Sequence, residues 1–240
     1  MFYKKNRPTT FDEIVGNAIT IKALKATLAS GDPIRQYLIT GPIGSGKTTM
    51  ARIIASIFLN VPATEVLDNI DYHEVSMPND GGIKMVNSVR FRQNYRPMEG
   101  KYFVYCFDEC GSLSKETDSA FLKTIEDSRK HVVHIFVCLE EKSLSEPLVS
   151  RCAHYRMQAL TEDEIVSGLQ IVLKNAGKIA DPRILREIVR QTDGMPRNAI
   201  TLLQQIISLP FDDQVEFLVN KKAAKAADTG EAKGLKQKSK

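Results

Sequence analysis

Nine consecutive residues, Gly41-Pro42-Ile43-Gly44-Ser45-Gly46-Lys47-Thr48-Thr49, set a lysine and a hydroxyl directly behind a glycine-rich loop. The spacing is that of a phosphate-binding loop: Gly, four residues, then Gly-Lys-Ser/Thr. Glycines, lacking Cβ, let backbone N–H groups close around phosphate oxygens. A helix that starts at the loop's end adds partial positive charge at the same point. In that setting Lys47 reaches the β- and γ-phosphates and the Thr48 hydroxyl ligates Mg²⁺. About 60 residues on, Asp108-Glu109 closes an apolar run. An acidic residue there is placed to hold the Mg²⁺ shell, and the next carboxylate can polarise an attacking water as general base. The pair could equally be a surface turn after a strand, but the loop upstream favours hydrolysis over mere binding of a nucleoside triphosphate.

The elements needed to position these groups are legible around them. Tyr37-Leu-Ile-Thr40 reads as a short buried strand before the loop, and Met50, Ile53, Ile54, Ile57 and Phe58 recur at helical spacing behind it. Asp71–Ser76 reads as a second strand, ended by the turn residues Pro78-Asn-Asp-Gly-Gly82. A basic helix follows over about Ile83 to Tyr95. Tyr102–Phe107 is continuously apolar, as a strand buried on both faces of a parallel sheet should be. Ser114 reads as the N-cap of a helix through Ala120, Phe121, Leu122 and Ile125, Val132–Leu139 as a fourth strand and Cys152–Met157 as a fifth. Near the start, Ile19, Ile21, Leu24 and Leu28 are expected to share one face of a helix that ends at Ser30-Gly-Asp-Pro33.

After about Leu160 the strand-like runs stop. Helical patterns run from Thr161, with Glu164 three residues on as in a capping box, to Ala176, then Pro182–Gln191, Arg197–Ser208 and a weaker one over Asp212 to about Asn220. The expected organisation is therefore an α/β nucleotide-binding domain over residues 1–160, built on a parallel five-stranded sheet, and a small all-helical domain over 161–221. A Lys-rich tail, 222–240, is expected to be disordered.

Composition narrows the class. At 240 residues the chain can bury an ample core. It holds no run of 18 apolar residues and its first residues lack the apolar stretch of a secretory signal, so a cytoplasmic protein without a membrane span is expected. The four cysteines are widely spaced with no Cys-x-x-Cys pair, which fits reduced thiols. The net charge of +4 is local: residues 221–240 hold seven lysines against Asp228 and Glu231, leaving the other 220 residues near −1. Any nucleic-acid affinity of the folded body must then come from patches.

Several stretches carry a more specific resemblance. Lys5-Asn-Arg-Pro-Thr-Thr-Phe-Asp-Glu-Ile-Val-Gly16 is similar to the opening of clamp-loader ATPases of the AAA+ superfamily. Tyr95-Arg-Pro through Asp108-Glu-Cys110, and Leu122-Lys-Thr-Ile-Glu126, resemble the bacterial gamma/tau branch of that family, and Ser150-Arg-Cys152 matches its Ser-Arg-Cys signature, shared with the small subunits of replication factor C. The resemblance covers roughly residues 3–205. It implies an ATPase that uses Mg²⁺, with Arg7, Pro8, Val15 and Gly16 lining the adenine pocket. Arg151 would be an arginine finger completing a neighbour's site, and Arg197 a second sensor that couples nucleotide to the helical lid. The family's first sensor, usually Thr or Asn, falls near Cys138, where neither stands, so Cys138 substitutes weakly or hydrolysis is slow.

The resemblance also implies partners: other clamp-loader subunits, a sliding clamp and the backbone of primer–template DNA. Asn79, Lys84, Ser112, Ser114 and Lys115 match the positions that face duplex phosphates, although Ser112 and Ser114 read equally well as loop and cap residues. Arg90-Phe91-Arg92 and Tyr95 could face a clamp, but core packing of Phe91 is the expectation. Two features depart from the family. The four-cysteine zinc module is lacking, so no zinc is expected, and about 30 residues after Ser208 leave no room for the usual collar domain, which is absent, supplied by another chain, or cut away.

The expectation that results is an ATPase subunit of a bacterial or phage-like replication clamp loader, opening a clamp on ATP binding and releasing it on DNA-triggered hydrolysis. One rival is a subunit that binds ATP as a scaffold and scarcely hydrolyses it, motivated by the odd first sensor. Another is a different AAA+ DNA motor, such as a branch-migration helicase, against which the Ser-Arg-Cys triplet argues.

Overall fold

A computed structural model describes residues 5–111 and 113–237, with 225–237 as backbone only. It divides into two compact units, Pro8–Ala159 and a second that holds the described residues from Leu160 onward together with those before Pro8.

The first unit is built on five strands, β1 (Gln36–Thr40), β2 (Tyr72–Ser76), β3 (Phe103–Asp108), β4 (Val132–Cys138) and β5 (Ala153–Arg156), all paired in parallel in the order β2-β3-β4-β1-β5. Period-two alternation explains why the central strands are apolar throughout. Tyr37, Ile39, Val104, Cys106, Val133, Ile135 and Val137 belong to one buried cluster, and Leu38, Phe103, Tyr105, Phe107 and Phe136 to another. The first cluster takes the buried side chains of α1 (Ala18–Leu28) and α2 (Lys47–Leu59); the second takes those of α3 (Met77–Asp80), α4 (Ile83–Arg92), α5 (Lys115–Glu126) and α6 (Glu146–Val149).

Three expectations about these elements are corrected. Ile19 is 87% exposed, because only Ile21, Leu24 and Leu28 of the four fall on the packed stripe of α1. The Pro78–Gly82 turn begins as the short helix α3, since Pro78 sits in its first turn where no N–H is needed. Phe91 is 65% exposed: it lies in the last turn of α4, opposite the inward-facing Val86 and Val89, and meets the Tyr95 ring edge-on at 5.4 Å.

Two of the buried polar residues of this unit, Asp71 and His134, bear on its stability. The carboxylate of Asp71, fully buried just before β2, accepts N–H groups of Met98, Glu99 and Gly100 at 2.8, 2.8 and 3.1 Å and so fixes the loop that feeds β3. Asp71→Ala leaves those donors unpaired, and we expect it to cost roughly 3 kcal/mol, read as a lower denaturant midpoint. His134, fully buried in β4, stacks near Tyr105 and Phe107, and among the described residues neither ring nitrogen has a hydrogen-bond partner. Burial alone pushes its pKa down to about 4. The unfolded imidazole protonates at an ordinary value, so between about pH 6.5 and 4 the unfolded chain binds more protons. Stability tied to the neutral ring is whole above that window and is lost as pH falls through it, by roughly 3 kcal/mol. Urea titrations at pH 7 and pH 4.5 should show this loss in the native chain and a smaller one in His134→Leu.

The second unit is helical: α7 (Glu162–Asn175), α8 (Pro182–Gln191), α9 (Pro196–Ile206) and α10 (Phe211–Gln237). Thr161 and Glu164 form a reciprocal capping box on α7, and Asp181 caps α8 through the Arg183 N–H. Apolar stripes at Ile165, Leu169, Leu185, Ile188, Leu202, Leu203 and Ile206 meet in one core, which also takes Leu218. Helix α10 runs on to Gln237 where a disordered tail over 222–240 was expected, in keeping with the helix propensity of its Ala, Lys, Glu and Gln residues; residues 238–240 lie outside the described residues. Among the described residues no helix is long and apolar enough to cross a membrane.

Candidate active site

Parallel strands put all their C-terminal ends on one edge of the sheet, and the chemically expected residues follow from that edge. The glycine loop leaves β1 at Thr40, whose register partner in β4 is Cys138; Asp108 ends β3, the strand on the far side of β4. Gly41 has φ +150°, and a Cβ there would lie 2.5 Å from the Met157 carbonyl oxygen, so no other residue fits without moving the chain after β5. Gly46 caps α2 with φ +93°, a left-handed conformation that turns the loop into the helix.

The loop delivers two side chains toward β3. Thr48 Oγ1 donates to Asp108 Oδ2 at 2.8 Å, bringing together a hydroxyl and a carboxylate 60 residues apart in sequence. Lys47 Nζ donates to the Pro42 carbonyl at 2.7 Å, folded back over its own loop. Burial lowers the Lys47 pKa, while the Asp108 carboxylate opposes that shift. Ser45 is buried, and among the described residues its Oγ has no partner. A phosphate oxygen would suit this set: an acceptor for the unpartnered Ser45 hydroxyl and an alternative to the Pro42 carbonyl for Lys47. The Thr48–Asp108 oxygen pair likewise has the hard-donor chemistry that Mg²⁺ requires.

Glu109 follows with φ +58°, rare for a residue with a side chain. Its own N–H is held by Asp108 Oδ1 at 2.9 Å, and the Cys110 N–H is tied to Val137 O at 2.9 Å. These bonds over-determine the kink and leave the Glu109 side chain exposed beside the loop. Cys138 is buried at the end of β4, and burial pushes its thiol pKa up to about 12 against the pull of Lys47. It stays a neutral thiol, a weaker donor than the Thr or Asn expected at a first sensor.

The other expected site residues stand as follows. Val15 and Gly16 precede Asn17, which clasps Gln158 both ways, accepting its N–H at 2.7 Å and donating to its carbonyl at 3.3 Å, so this turn is tied to the chain leaving β5. Pro8 opens the α/β unit, whereas Arg7 and Arg197 belong to the helical unit, Arg197 in the first turn of α9. Asn79, Lys84, Ser114 and Lys115 are exposed on segments that follow the C-terminal ends of β2 and β3. Asn79 Nδ2 donates to Ser76 Oγ, and Ser114 Oγ accepts the Thr117 N–H at 3.2 Å as the cap of α5. Ser112 lies outside the described residues.

Arg151 lies elsewhere. It precedes β5, whose far end, Arg156, pairs with Thr40 at the mouth of the loop. The extended run from Ala153 to Arg156 alone sets Arg151 about 10 Å down the sheet, toward the edge opposite its own loop.

Sequence reading missed a polar chain beside the loop. Thr40 Oγ1 contacts His154 Nε2 at 2.7 Å, and Glu141 Oε2 lies 3.6 Å from His154 Nδ1 and accepts from Arg156 Nη2 at 3.0 Å. Its members are scattered over β1, β5 and the turn after β4, with no motif to flag them. Together with Pro42, Leu139 and Met157, Thr40, Glu141 and Arg156 line a cavity of about 830 Å³ on the flank of the loop.

A five-stranded parallel sheet in this order, with the glycine loop after β1, the acidic pair after β3 and a helical unit later in the chain, defines an ATPase fold of the AAA+ class. The Holliday junction branch migration motor RuvB of Thermotoga maritima has the same fold, with a TM-score of 0.70 at 22% identity over 90% of this chain and 72% of that one. The family model described as DNA polymerase III, delta subunit matches residues 16–161, and the chain belongs to that family. Among curated relatives it is similar to the DNA polymerase III subunit gamma of Buchnera aphidicola, 28% identical over 86% of this chain and 61% of that protein. It is similar also to subunit tau of Escherichia coli, 29% identical over 85% of this chain and 34% of that protein. The chain thus spans less than two thirds of the length of these relatives.

Proposed function

We propose that the chain is an ATPase subunit of a DNA replication clamp loader, working in the cytoplasm of a bacterium or of a phage-infected cell. The observation that carries this reading beyond the family is the separation of Arg151 from its own loop. A phosphate-binding loop at one edge of the sheet, and Arg151 toward the opposite edge, suit subunits stacked edge to edge, each completing its neighbour's site.

In that reading the loop N–H groups and Lys47 grip the β- and γ-phosphates of ATP, and Lys47 exchanges the Pro42 carbonyl for phosphate oxygen. Thr48 and Asp108 would hold Mg²⁺, which when bound neutralises charge on the transferring phosphoryl group. Glu109 takes a proton from water as it attacks in line, and Arg151 of an adjacent subunit stabilises the charge that spreads over the equatorial oxygens. Pro8, Val15 and Gly16 receive the adenine. ATP binding then orders subunits into a spiral that opens a sliding clamp. Primer–template DNA, held by phosphate contacts at Asn79, Lys84, Ser112, Ser114 and Lys115 that read no bases, triggers hydrolysis and release.

Size-exclusion chromatography with light scattering tests the assembly step. With a slowly hydrolysed ATP analogue and a collar-bearing partner subunit, the chain should elute as a complex larger than either component. Elution as separate monomers under every nucleotide condition would remove the basis for a shared site.

A further inference from the structure

Arg151 is held by a carboxylate of its own chain. Its Nη2 donates to Glu126 Oε1 at 2.7 Å and its Nη1 to the Pro147 carbonyl at 2.8 Å. Glu126 is the last residue of α5, the helix that begins beside the acidic pair at Ser114 and runs back to the opposite edge of the sheet. The short helix α6, which ends two residues before Arg151, is fastened to α5 at two points. At its start the Ser145 N–H donates to Asp118 Oδ1 at 3.2 Å, and at its end Glu126 takes the guanidinium. Between them Leu148 and Val149 share one apolar cluster with Phe121 and Ile125.

The ion pair is half exposed, 40% and 50% at the two side chains, so it adds little to folding. What it fixes is direction. An arginine on a flexible stem loses rotamer freedom when it meets a phosphate, and one already held in place loses less. Two of its N–H groups are used within the chain, and the rest of the fork remains for an anion.

We propose that Glu126 is the positioning residue of Arg151, aiming the guanidinium at the nucleotide of the neighbouring subunit. The proposal rests on the shared-site reading above, and its test separates the two. ATP turnover is measured for the full chain in the assembly it forms with ATP and primed DNA, in Glu126→Ala, Glu126→Gln and Arg151→Ala variants. Glu126→Ala should lower kcat about tenfold with KM for ATP unchanged, as a misaimed group does. Glu126→Gln, which keeps an oxygen acceptor for Nη2, should recover most of that loss, and the thermal midpoints of all three variants should match the native chain. If Arg151→Ala lowers turnover while Glu126→Ala turns over as fast as the native chain or faster, the positioning role is overturned and the shared site stands. If Arg151→Ala is itself without effect, the shared site falls and the role of Glu126 with it.

Discussion

Glu109→Gln is expected to bind ATP within about twofold of the native chain and to hydrolyse it about 10²- to 10⁴-fold more slowly, the range removed with a general base. The geometry makes this a clean substitution. Glutamine is isosteric, and the backbone that holds position 109 at φ +58° is fixed by the Asp108 carboxylate and the Cys110–Val137 bond rather than by the Glu109 side chain. The grip on phosphate proposed for Lys47, Ser45 and the loop is left untouched. Single-turnover hydrolysis beside equilibrium binding of a fluorescent ATP analogue separates the two effects. Equal turnover in both proteins would remove Glu109 as base and favour a scaffold that binds ATP and scarcely hydrolyses it.

Arg151→Ala is expected to lower turnover in the assembled state by about 10³-fold or more, the scale of a lost arginine finger. Because the sheet carries Arg151 away from its own loop, the loss should be reversible by another subunit. Arg151→Ala chains keep an intact loop, and Lys47→Ala chains keep an intact arginine. Each variant alone should be nearly inactive and their mixture active, with turnover that rises with the concentration of the second chain. A mixture no faster than the sum of its parts would place Arg151 outside the neighbour's site.

The part of this site legible in the sequence is the part written in contiguous residues. Gly41–Thr49 and Asp108-Glu109 each announce a loop or a strand end by local spacing, and the buried strands β1, β3 and β4 announce themselves as apolar runs. What sequence could not give was pairing across distance. The Thr48–Asp108 contact could be expected only from the motif, and nothing foretold that Glu126 would meet Arg151, or that Thr40, His154 and Glu141 would line up beside the loop. Amphipathic phase was the other failure. Ile19 and Phe91 looked apolar enough for the core, yet each sits where the helix turns its surface to solvent. The tail is a separate matter: a lysine-rich segment with few large apolar side chains can be helical when alanine fills its gaps.

The most direct test of the account is steady-state ATP turnover of the full chain with its partner subunits, measured with and without a sliding clamp and primer–template DNA. Clamp and primed DNA together are expected to raise turnover about tenfold or more, the size of an ordinary coupling between sites, and Glu109→Gln to abolish the rise. Turnover indifferent to both clamp and DNA, at a rate that Glu109→Gln leaves unchanged, would contradict it.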